Sequence, residues 1–440
     1  MLSPARLGQS HEVNPGKART AFEQDYDRII FSHPFRKLQD KTQVHPLPEH
    51  DFVHTRLTHS LEVSSVGRSL GRKVGEVLLQ RYPELAPDFS SSDLGAIVAA
   101  AALTHDIGNP PFGHAGESAI SDFFSSNEYG QHFKSLVTDE EWIDLCRFEG
   151  NAQGFRLLNK NQFGLKLTVA TLGAFTKYPC TAYFPTRNSK KRSQKKFGFF
   201  QSEKEAFDEV GNALNLLRSS EYSWCRHPLA FLVEAADDIC YSIIDLEDGC
   251  SLGLITEADA QAMLIELITF SKSKLGKLTQ LSTREERVGY LRALAIGDLT
   301  QQCAQLFLDH ENEMLTGKFD TALADVCDSR NALKNIISIS IERIYRSRQV
   351  VEIEASGHEI LPGLMTEFTR AGQYLLEQGK GSRKYDNLCL LFPKNTINEI
   401  QEAKGNHYLM LRAVIDFISG LTDKHATTIF RKIKGLGSLR

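Results

Sequence analysis

The stretch that most constrains this chain is an apolar, alanine-rich run that ends in two adjacent ionisable residues. It lies within residues 92–117, SDLGAIVAAAALTHDIGNPPFGHAGE. Ser92 and Asp93 are good helix-starting residues, and the run ends at His105 and Asp106, beside a Gly-Asn-Pro-Pro segment that cannot continue a helix. We therefore predict a buried helix that delivers two metal-type ligands at its C-terminal end.

A second pair of ionisable residues follows the break. Gly113, His114 and Glu117 fall on the first turn of the next predicted helix, with the histidine and the glutamate one turn apart. The carboxylate would orient the imidazole and stabilise its charged form, which suits general acid or base work. The alternative is a glutamate favoured by the helix dipole beside a surface histidine. We favour the catalytic interpretation because the pair follows the His-Asp pair so closely.

Composition is that of a soluble globular protein. The chain has 440 residues, of which 41% are hydrophobic and 24% are charged, and its formal net charge is -4. That charge gives no global drive toward nucleic acid or a membrane surface. The eight cysteines include no C-x-x-C pair, the N-terminal segment lacks the apolar core of a signal peptide, and no apolar run is long enough to span a bilayer. We therefore expect reduced thiols and a cytoplasmic location.

Helical periodicity dominates the chain. The first ordered element is predicted as an amphipathic helix, a break at His33-Pro34 and a second short helix, followed by a loop or short hairpin over 44–53. Residues 54–82 keep apolar residues three and four apart, which predicts a long helix with His59 in its second turn. Further helices are predicted over 228–249, 257–274, 283–310, 331–355, 360–378 and 397–434. We find no convincing strand alternation, internal repeat or domain linker, so the predicted fold class is mainly α.

One segment departs from this pattern. Residues 186–207, TRNSKKRSQKKFGFFQSEKEAF, are rich in lysine and serine. We expect a mobile surface loop or hairpin, because the segment is too polar for a core. The lysine run 190–196 is expected to be solvated, with contact to nucleic acid as the alternative.

Histidines and carboxylates on apolar helices form a candidate metal site. Its members are His59, His105, Asp106 and Asp237, which suit Mn, Fe, Mg or Zn. An isolated His-Asp dipeptide is more simply explained as a histidine at a helix end and an acid that caps the next turn. The other two residues argue against that explanation here, because buried acids and histidines are costly unless they are paired or bound to metal.

A stripe of polar residues continues along the helix that carries Asp237. Asp237, Tyr241 and Asp245 are spaced at i, i+4 and i+8, so they share one helix face. An acid, a phenol and an acid in this order would suit a sugar hydroxyl. Equally, Tyr241 would serve as a core aromatic residue and Asp245 would be solvated beside Glu247 and Asp248. The spacing leaves both interpretations open.

Basic residues flank the predicted site in sequence. Arg36, Arg56 and Lys177 would neutralise a polyphosphate, although each alone is more often a surface charge. The sequence has no Walker A loop, no G-x-G-x-x-G turn after a strand and no G-x-S-x-G elbow. A nucleotide would therefore have to bind at a site built without any of these motifs.

Together these residues resemble a known family. His59, His105-Asp106 and Asp237 match the H…HD…D signature of the HD-domain metal-dependent phosphohydrolases. More narrowly, the chain is similar to the deoxyguanosinetriphosphate triphosphohydrolase (dGTPase)-like branch of bacterial type. The vertebrate-type members have histidine where Asn109 stands, so their proton-transfer scheme is not carried over. The matching blocks are 19–44, 55–63 (TRLTHSLEV), 105–117 (HDIGNPPFGHAGE), 148–158 (FEGNAQGFRLL), 167–179, 227–249 and 416–426 (DFISGLTDKHA).

The resemblance implies an architecture and an activity. It implies an HD-domain helical core over 54–249, an N-terminal arm and helices over 1–53 that contribute to the site, and a C-terminal helical region over 250–440 packed on the core. The implied reaction is hydrolysis of dGTP or several dNTPs to deoxynucleoside and inorganic triphosphate, by metal-assisted attack on the α-phosphorus. The alternatives are a 5′-nucleotidase, a phosphodiesterase, or a non-catalytic protein that responds to nucleotide or single-stranded DNA.

The resemblance also implies roles for individual residues. The divalent ion, Mn or Mg with Fe, Co or Zn as alternatives, would be held by His59, His105, Asp106 and Asp237. The catalytic pair would be His114 and Glu117. Substrate contacts would come from Arg56, Lys177 and Tyr178 at the phosphates and sugar, and from Gln43, Tyr241 and Asp245 at the deoxyribose. The implied partners are a dNTP substrate, a dNTP or single-stranded DNA effector and further copies of the chain in a homo-oligomer, often a hexamer, with no membrane.

Overall fold

The structure is a computed structural model that describes residues 1–8, 19–44, 54–160 and 163–437. These residues form helices almost throughout, with one small antiparallel ribbon of two strands, β1 (Arg218–Ser220) and β2 (Ser223–Trp224). This confirms the predicted mainly α fold. The predicted loop or hairpin over 44–53 lies, apart from Val44, outside the described residues.

The first half of the chain carries the elements that surround the site. Its α-helices are α1 (Ala21–Phe31), α2 (His33–Arg36), α3 (Arg56–Arg81), α4 (Ser91–Thr104), α5 (Gly113–Ser125), α6 (Glu128–Gln131), α7 (Asp139–Cys146), α8 (Gly150–Asn159), α9 (Val169–Phe175), α10 (Lys204–Ala213) and α11 (Pro228–Ser251). Short 3₁₀ turns lie at Lys37–Asp40, Pro83–Leu85, His132–Leu136, Arg192–Gln194 and Gln201–Glu203.

The second half is helical as predicted, but several boundaries differ. Its α-helices are α12 (Glu257–Leu267), α13 (Arg284–Asp309), α14 (Glu311–Leu315), α15 (Leu323–Val326), α16 (Arg330–Ile339), α17 (Arg348–Leu376), α18 (Arg383–Cys389), α19 (Lys394–Glu402), α20 (His407–Ser419) and α21 (Asp423–Ile433). A 3₁₀ helix covers Lys272–Gln280 and a π-helical turn covers Ser340–Ile344.

Four predicted helices are wrong in extent. The helix predicted over 257–274 ends at Leu267, since the Asp298 carboxylate accepts the backbone N–H groups of residues 269–271 outside any helix. The sequence predicts a break between the helices 331–355 and 360–378, but α17 runs without interruption through this point and through Pro362. The break lies earlier, at the π-helical turn Ser340–Ile344. The helix predicted over 397–434 is three helices, α19 to α21, interrupted at 403–406 and 420–422.

Helices α3 and α4 pack closely and form the floor of the core. The helix α4 begins at Ser91, with Ser90 as its cap in place of the predicted starting residue Ser92, because Ser90 and Asp93 form a reciprocal capping box. Its alanine-rich sequence is buried along nearly its whole length. The backbones approach so closely that a Cβ atom on Gly71 would lie 2.7 Å from the carbonyl oxygen of Leu94. Glycine and alanine therefore set the distance between the two helices that carry His59 and His105.

Buried apolar side chains form two clusters. The larger cluster joins α1, α3, α4, α9 and α11 to α12 and α13. The second cluster joins α5, α7 and the chain around Phe197 and Phe200 to α17 and α20 near the C-terminus. The site described below lies where elements of both clusters meet.

The prediction that residues 186–207 form a surface loop too polar for a core is wrong in part: Lys190, Lys191 and Lys195 are exposed, as predicted for the lysine run, but other residues of the segment are buried. Phe197, Phe199 and Phe200 are buried, and Ser193 donates to Asp320 through both its backbone N–H and its hydroxyl. The aromatic side chains anchor the segment, since Phe199 packs against Phe155 and Phe207.

Candidate active site

A cavity of about 590 Å³ lies between α3, the end of α4, the start of α5, α11 and the start of α17. It gathers residues from across the chain that the sequence analysis had singled out separately. The predicted residues that line it are Gln43, Arg56, His59, His105, Asp106, His114, Glu117, Lys177, Tyr178, Asp237 and Tyr241. Arg36 does not line the cavity: its guanidinium lies 5.9 Å from the centre of the Phe31 ring, so its predicted contact with polyphosphate finds no support.

Four residues form what we call the metal corner: His59, His105, Asp106 and Asp237. Possible ligand atoms of the first three all lie within 4.8 Å of one another. Asp237 Oδ1 joins them, at 3.3 Å from His59 Nε2 and 3.6 Å from His105 Nε2. Two imidazoles and two carboxylates at these separations fit a divalent ion.

Neighbouring groups hold the corner in a form suited to metal binding. His105 Nδ1 lies 2.7 Å from the carbonyl oxygen of Ala102 and donates to it, so Nε2 is the nitrogen that faces the other ligands. Burial alone would raise the pKa of Asp237, but the charge of His105 and a hydrogen bond from His59 hold that pKa well below its usual range. The carboxylate therefore stays ionised.

The Asp106 carboxylate is held from both sides. Arg56 Nη1 donates to Oδ2 at 2.8 Å, and the Asn109 side-chain amide donates to Oδ1 at 2.5 Å. Burial would raise the pKa of Asp106, but the Arg56 charge lowers it. The structure thus places Arg56, a predicted phosphate contact, against a corner carboxylate at the cavity wall.

His114 and Glu117 lie within hydrogen-bonding distance. His114 Nδ1 is 2.8 Å from Glu117 Oε2, and the other oxygen of Glu117 accepts the backbone N–H of Gly150 at 2.8 Å. The His114 side chain is 86% exposed, whereas that of Glu117 is 12% exposed. Burial would raise the pKa of Glu117, but the hydrogen bond with His114 and the nearby charge of Lys196 lower it. A fixed carboxylate thus orients an accessible imidazole.

Three cations form what we call the basic wall: Lys177, Arg192 and Lys196. Lys177 Nζ lies 3.2 Å and Arg192 Nε 2.6 Å from Glu234 Oε1. Lys196 Nζ lies 3.1 Å from Glu149 Oε2. Burial would lower the pKa of Lys177 and Arg192, but the Glu234 charge raises both. The wall therefore remains positively charged beside the cavity.

Sequence reasoning missed most of the basic wall and its acidic partners. Two signals were available: the aromatic residues interleaved with the lysines in 192–200, and the position of Glu234 one turn before Asp237 on the same helix. Further polar residues that line the cavity include Thr42, Glu149, Asn151, Arg192, Lys195, Lys196, Glu234, Asp238, Tyr345 and Glu354.

The predicted polar stripe on α11 divides into a cavity residue and a supporting residue. Tyr241 lines the cavity, and its ring lies 5.8 Å from that of Tyr345 in a stacked arrangement. Asp245 is buried behind them and accepts a 2.6 Å hydrogen bond from the Tyr345 hydroxyl. Burial raises the pKa of Asp245 to about 7. Asp245 is therefore not solvated, and it reaches the cavity through Tyr345.

Comparison with known families agrees with the fold and the corner. The model of the HD domain family matches residues 56–143, which include three members of the metal corner. The model of the phosphohydrolase-associated domain matches residues 322–432 in the C-terminal helices. The helical fold, the His-Asp cluster and these matches define an HD-domain protein of the metal-dependent phosphohydrolase class.

Individual relatives narrow this class. The chain is 41% identical to the deoxyguanosinetriphosphate triphosphohydrolase-like protein of Synechocystis sp., over 99% of this chain and 98% of the relative. It is 38% identical to the protein of the same name from Pseudomonas aeruginosa, over 100% of this chain and 98% of the relative. It is 30% identical to the deoxyguanosinetriphosphate triphosphohydrolase of Salmonella arizonae, over 98% of this chain and 96% of the relative. The chain belongs to the deoxyguanosinetriphosphate triphosphohydrolase-like family.

Within the described parts of the chain, the helices are all too short or too polar to cross a membrane.

Proposed function

We propose that this protein hydrolyses deoxynucleoside triphosphates, dGTP or several dNTPs, to deoxynucleoside and inorganic triphosphate. The observation that carries the proposal is the arrangement around one cavity: a metal corner, a His-Glu pair and a basic wall. Family membership supports it, since the relative from Salmonella arizonae is named for this activity on dGTP.

The metal corner would hold a divalent ion through His59, His105, Asp106 and Asp237. When bound, such an ion supplies Lewis acidity toward a phosphate oxygen. Arg56 and Asn109 would keep the Asp106 carboxylate in position, since both donate to it. Among the candidates we favour Mn or Mg, with Fe, Co or Zn as alternatives.

His114 would act as the general acid or base that transfers a proton in the reaction. Its Nδ1 atom is engaged by Glu117, so its Nε2 atom is the nitrogen available to substrate. Glu117 would orient the ring and stabilise its protonated form. The exposure of His114 and the anchoring of Glu117 by Gly150 support this division of work.

The basic wall would bind the triphosphate. Lys177, Arg192 and Lys196 each keep further N–H donors beyond those that contact Glu234 and Glu149, and phosphate oxygens accept such donors well. These cations would also stabilise the negative charge of the departing triphosphate. Arg56 and Tyr178 would complete this surface.

The deoxyribose would lie against Gln43 and Tyr241, with Tyr345 and Asp245 behind them. Gln43 Oε1 is buried and has no hydrogen-bond partner within the described ranges, so it is available to accept a hydrogen bond from a hydroxyl of the sugar. Tyr241 and Tyr345 would limit the space beside the sugar through their stacked rings.

We also propose the organisation around this activity. Residues 1–53 would form the arm and helices that contribute to the site, 54–249 the catalytic core and 250–440 the C-terminal region. The enzyme would work in the cytoplasm as a homo-oligomer, a hexamer by resemblance. A dNTP or single-stranded DNA would serve as effector.

The test is product analysis with the purified protein. Each dNTP, alone and in pairs, is incubated with Mn or Mg, and released phosphate species are separated. We expect inorganic triphosphate and deoxynucleoside in equal amounts. Release of orthophosphate instead would indicate another nucleotide phosphohydrolase, and release of nothing in any combination would overturn the proposal. Comparison with His114→Ala distinguishes turnover by this site from a contaminating activity.

A further inference from the structure

The turn between α20 and α21, together with the helix residues Ser419 and Asp423 that flank it, has no role in the proposed chemistry, yet it holds two walls of the cavity. The Asp423 carboxylate is buried and accepts two backbone hydrogen bonds. Its Oδ1 atom accepts the N–H of Phe112 at 3.1 Å, and its Oδ2 atom accepts the N–H of Thr42 at 3.0 Å. One carboxylate thus joins segments that are far apart in the chain.

Both of these segments lead directly to proposed site residues. Thr42 precedes Gln43, and Phe112 stands two residues before His114. Thr42, Gln43, Phe112 and His114 all line the cavity. The position of the Asp423 carboxylate therefore fixes the backbone beside a proposed sugar contact and beside the proposed proton-transfer residue.

The same turn accepts further hydrogen bonds from the N-terminal segment. Lys37 Nζ donates to the Gly420 carbonyl at 2.6 Å, and Lys41 Nζ donates to the Ser419 carbonyl at 2.9 Å. Lys41 Nζ also donates to the Asn109 carbonyl at 2.5 Å. The turn, the segment before Gln43 and the loop after Asp106 are therefore connected more than once.

The backbone just before His114 needs such support. Phe112 has φ +64° and Gly113 has φ +57°, so two successive residues lie in the left-handed region. For phenylalanine this conformation is strained, and it persists only where the surroundings hold it. The hydrogen bond from Phe112 N–H to Asp423 and the packing of Phe112 against Gly357 provide that hold.

We infer that Asp423 is a positioning residue for the reaction: it holds the Phe112-Gly113 turn that aims His114 and, through Thr42, the segment that carries Gln43. This rests on the proposed function. It also assigns a task to the C-terminal block 416–426, whose sequence matches the family but whose members do not line the cavity.

The competing explanation is that Asp423 only stabilises α21. It is the first residue of that helix, after the cap Thr422, where a carboxylate interacts favourably with the helix dipole. Asp139 offers a matched control. It is likewise the first residue of its helix, after the cap Thr138, but Thr42 and Phe112 donate to Asp423 and not to Asp139.

The experiment compares Asp423→Asn with Asp139→Asn in the full-length protein. Asparagine has nearly the same shape, but its NH₂ group would face one of the two N–H donors, so one hydrogen bond is lost. We expect kcat for triphosphate release to fall tenfold or more in Asp423→Asn, with a smaller change in KM, and to stay within twofold of wild type in Asp139→Asn. Equal kcat values for Asp423→Asn and wild type would overturn the inference.

Hydrogen exchange supplies a readout that does not depend on activity. In Asp423→Asn, amides in 40–44 and 109–116 should exchange faster than in wild type, whereas Asp139→Asn should leave them unchanged. If Asp423→Asn does not fold, wild type alone decides: the amides of Thr42 and Phe112 must be protected, and exchange at unprotected rates overturns the inference. A wild type that releases no triphosphate defeats the proposed function, while the exchange result still decides the positioning.

Discussion

The metal corner and the basic wall lie in one cavity but are built differently. The corner takes its residues from the regular helices α3 and α11 and from the two residues just after α4. The wall takes Lys177 from the chain just after α9, and Arg192 and Lys196 from an irregular segment between α9 and α10. The corner balances two imidazoles against two carboxylates, whereas the wall depends on acids that belong to other elements, Glu149 and Glu234.

Despite this difference, one helix, α11, contributes an acid to both regions. Glu234 and Asp237 stand three residues apart on one helix, so the same face supplies the acid that retains Lys177 and Arg192 and the acid that completes the corner. Glu234 is 2% exposed. A buried, fully paired carboxylate fixes the cations of the wall in advance of any substrate, which reduces the reorganisation needed on binding.

The largest expected effect comes from the corner. Asp237→Asn removes one ligand charge and should lower kcat/KM by about 1000-fold, since several kcal/mol of transition-state stabilisation depend on a correctly bound ion. Metal content after dialysis and triphosphate release are measured together. Glu247→Gln, on the same helix but away from the cavity, serves as the control. Wild-type activity in Asp237→Asn would show that the corner is not the catalytic centre.

The next effect concerns α11 itself. Its cap, His227, accepts the N–H of Leu229 at Nδ1 and donates from Nε2 to the Met1 carbonyl, so the neutral ring satisfies both contacts. Burial lowers the pKa of His227 to about 4. Between that value and about 6.5, the unfolded chain binds a proton that the folded chain does not, so the free energy of unfolding should fall by up to about 3 kcal/mol as pH drops through this range.

Denaturant unfolding of wild type and His227→Asn between pH 7 and pH 4 measures that effect. Asparagine keeps a cap acceptor but cannot titrate, so the variant should lose less stability on acidification than wild type. Parallel curves for the two proteins would contradict the prediction.

A smaller effect separates the His-Glu pair from the corner. Glu117→Gln keeps the shape but removes the charge that orients and stabilises His114, and kcat should fall by about 100-fold. The chain contains a matched pair for control, because His310 Nδ1 lies 2.9 Å from Glu313 Oε2 with the same spacing of three residues. Glu313→Gln should be silent. Bound metal should be unchanged in Glu117→Gln, and its loss would assign the residue to the corner instead.

The smallest effect tests the wall. Lys196→Gln removes one cation from the proposed triphosphate surface and should raise KM about tenfold with little change in kcat, the size expected for one charge-assisted hydrogen bond. Lys190→Gln, in the same lysine run but exposed and outside the cavity, should match wild type. Identical kinetics for the two variants would mean that Lys196 does not bind the triphosphate and is solvated like Lys190, as the composition of the run predicts.

Much of the corner could be predicted from sequence because its signals are local. The alanine-rich run before His105, the prolines behind Asp106 and the apolar helices around His59 and Asp237 all indicate that polar groups are buried, and buried polar groups need partners. Helix boundaries in the second half were less well predicted. The end of α12 depends on Asp298, which lies far along the chain and accepts the N–H groups that would otherwise continue the helix.

From the sequence alone come the mainly α fold, the four members of the corner as separate polar residues on apolar helices, and the close spacing of His114 and Glu117, because periodicity and short-range spacing encode them. Only the tertiary structure decided that a lysine-rich segment is anchored by Phe197, Phe199 and Phe200 and faces the cavity, that Asp245 reaches it through Tyr345, and that Asp423 joins Thr42 to Phe112. Each of these depends on a partner distant in sequence. A charged side chain is solvated or buried according to whether such a partner lies opposite it, and local composition does not contain that information.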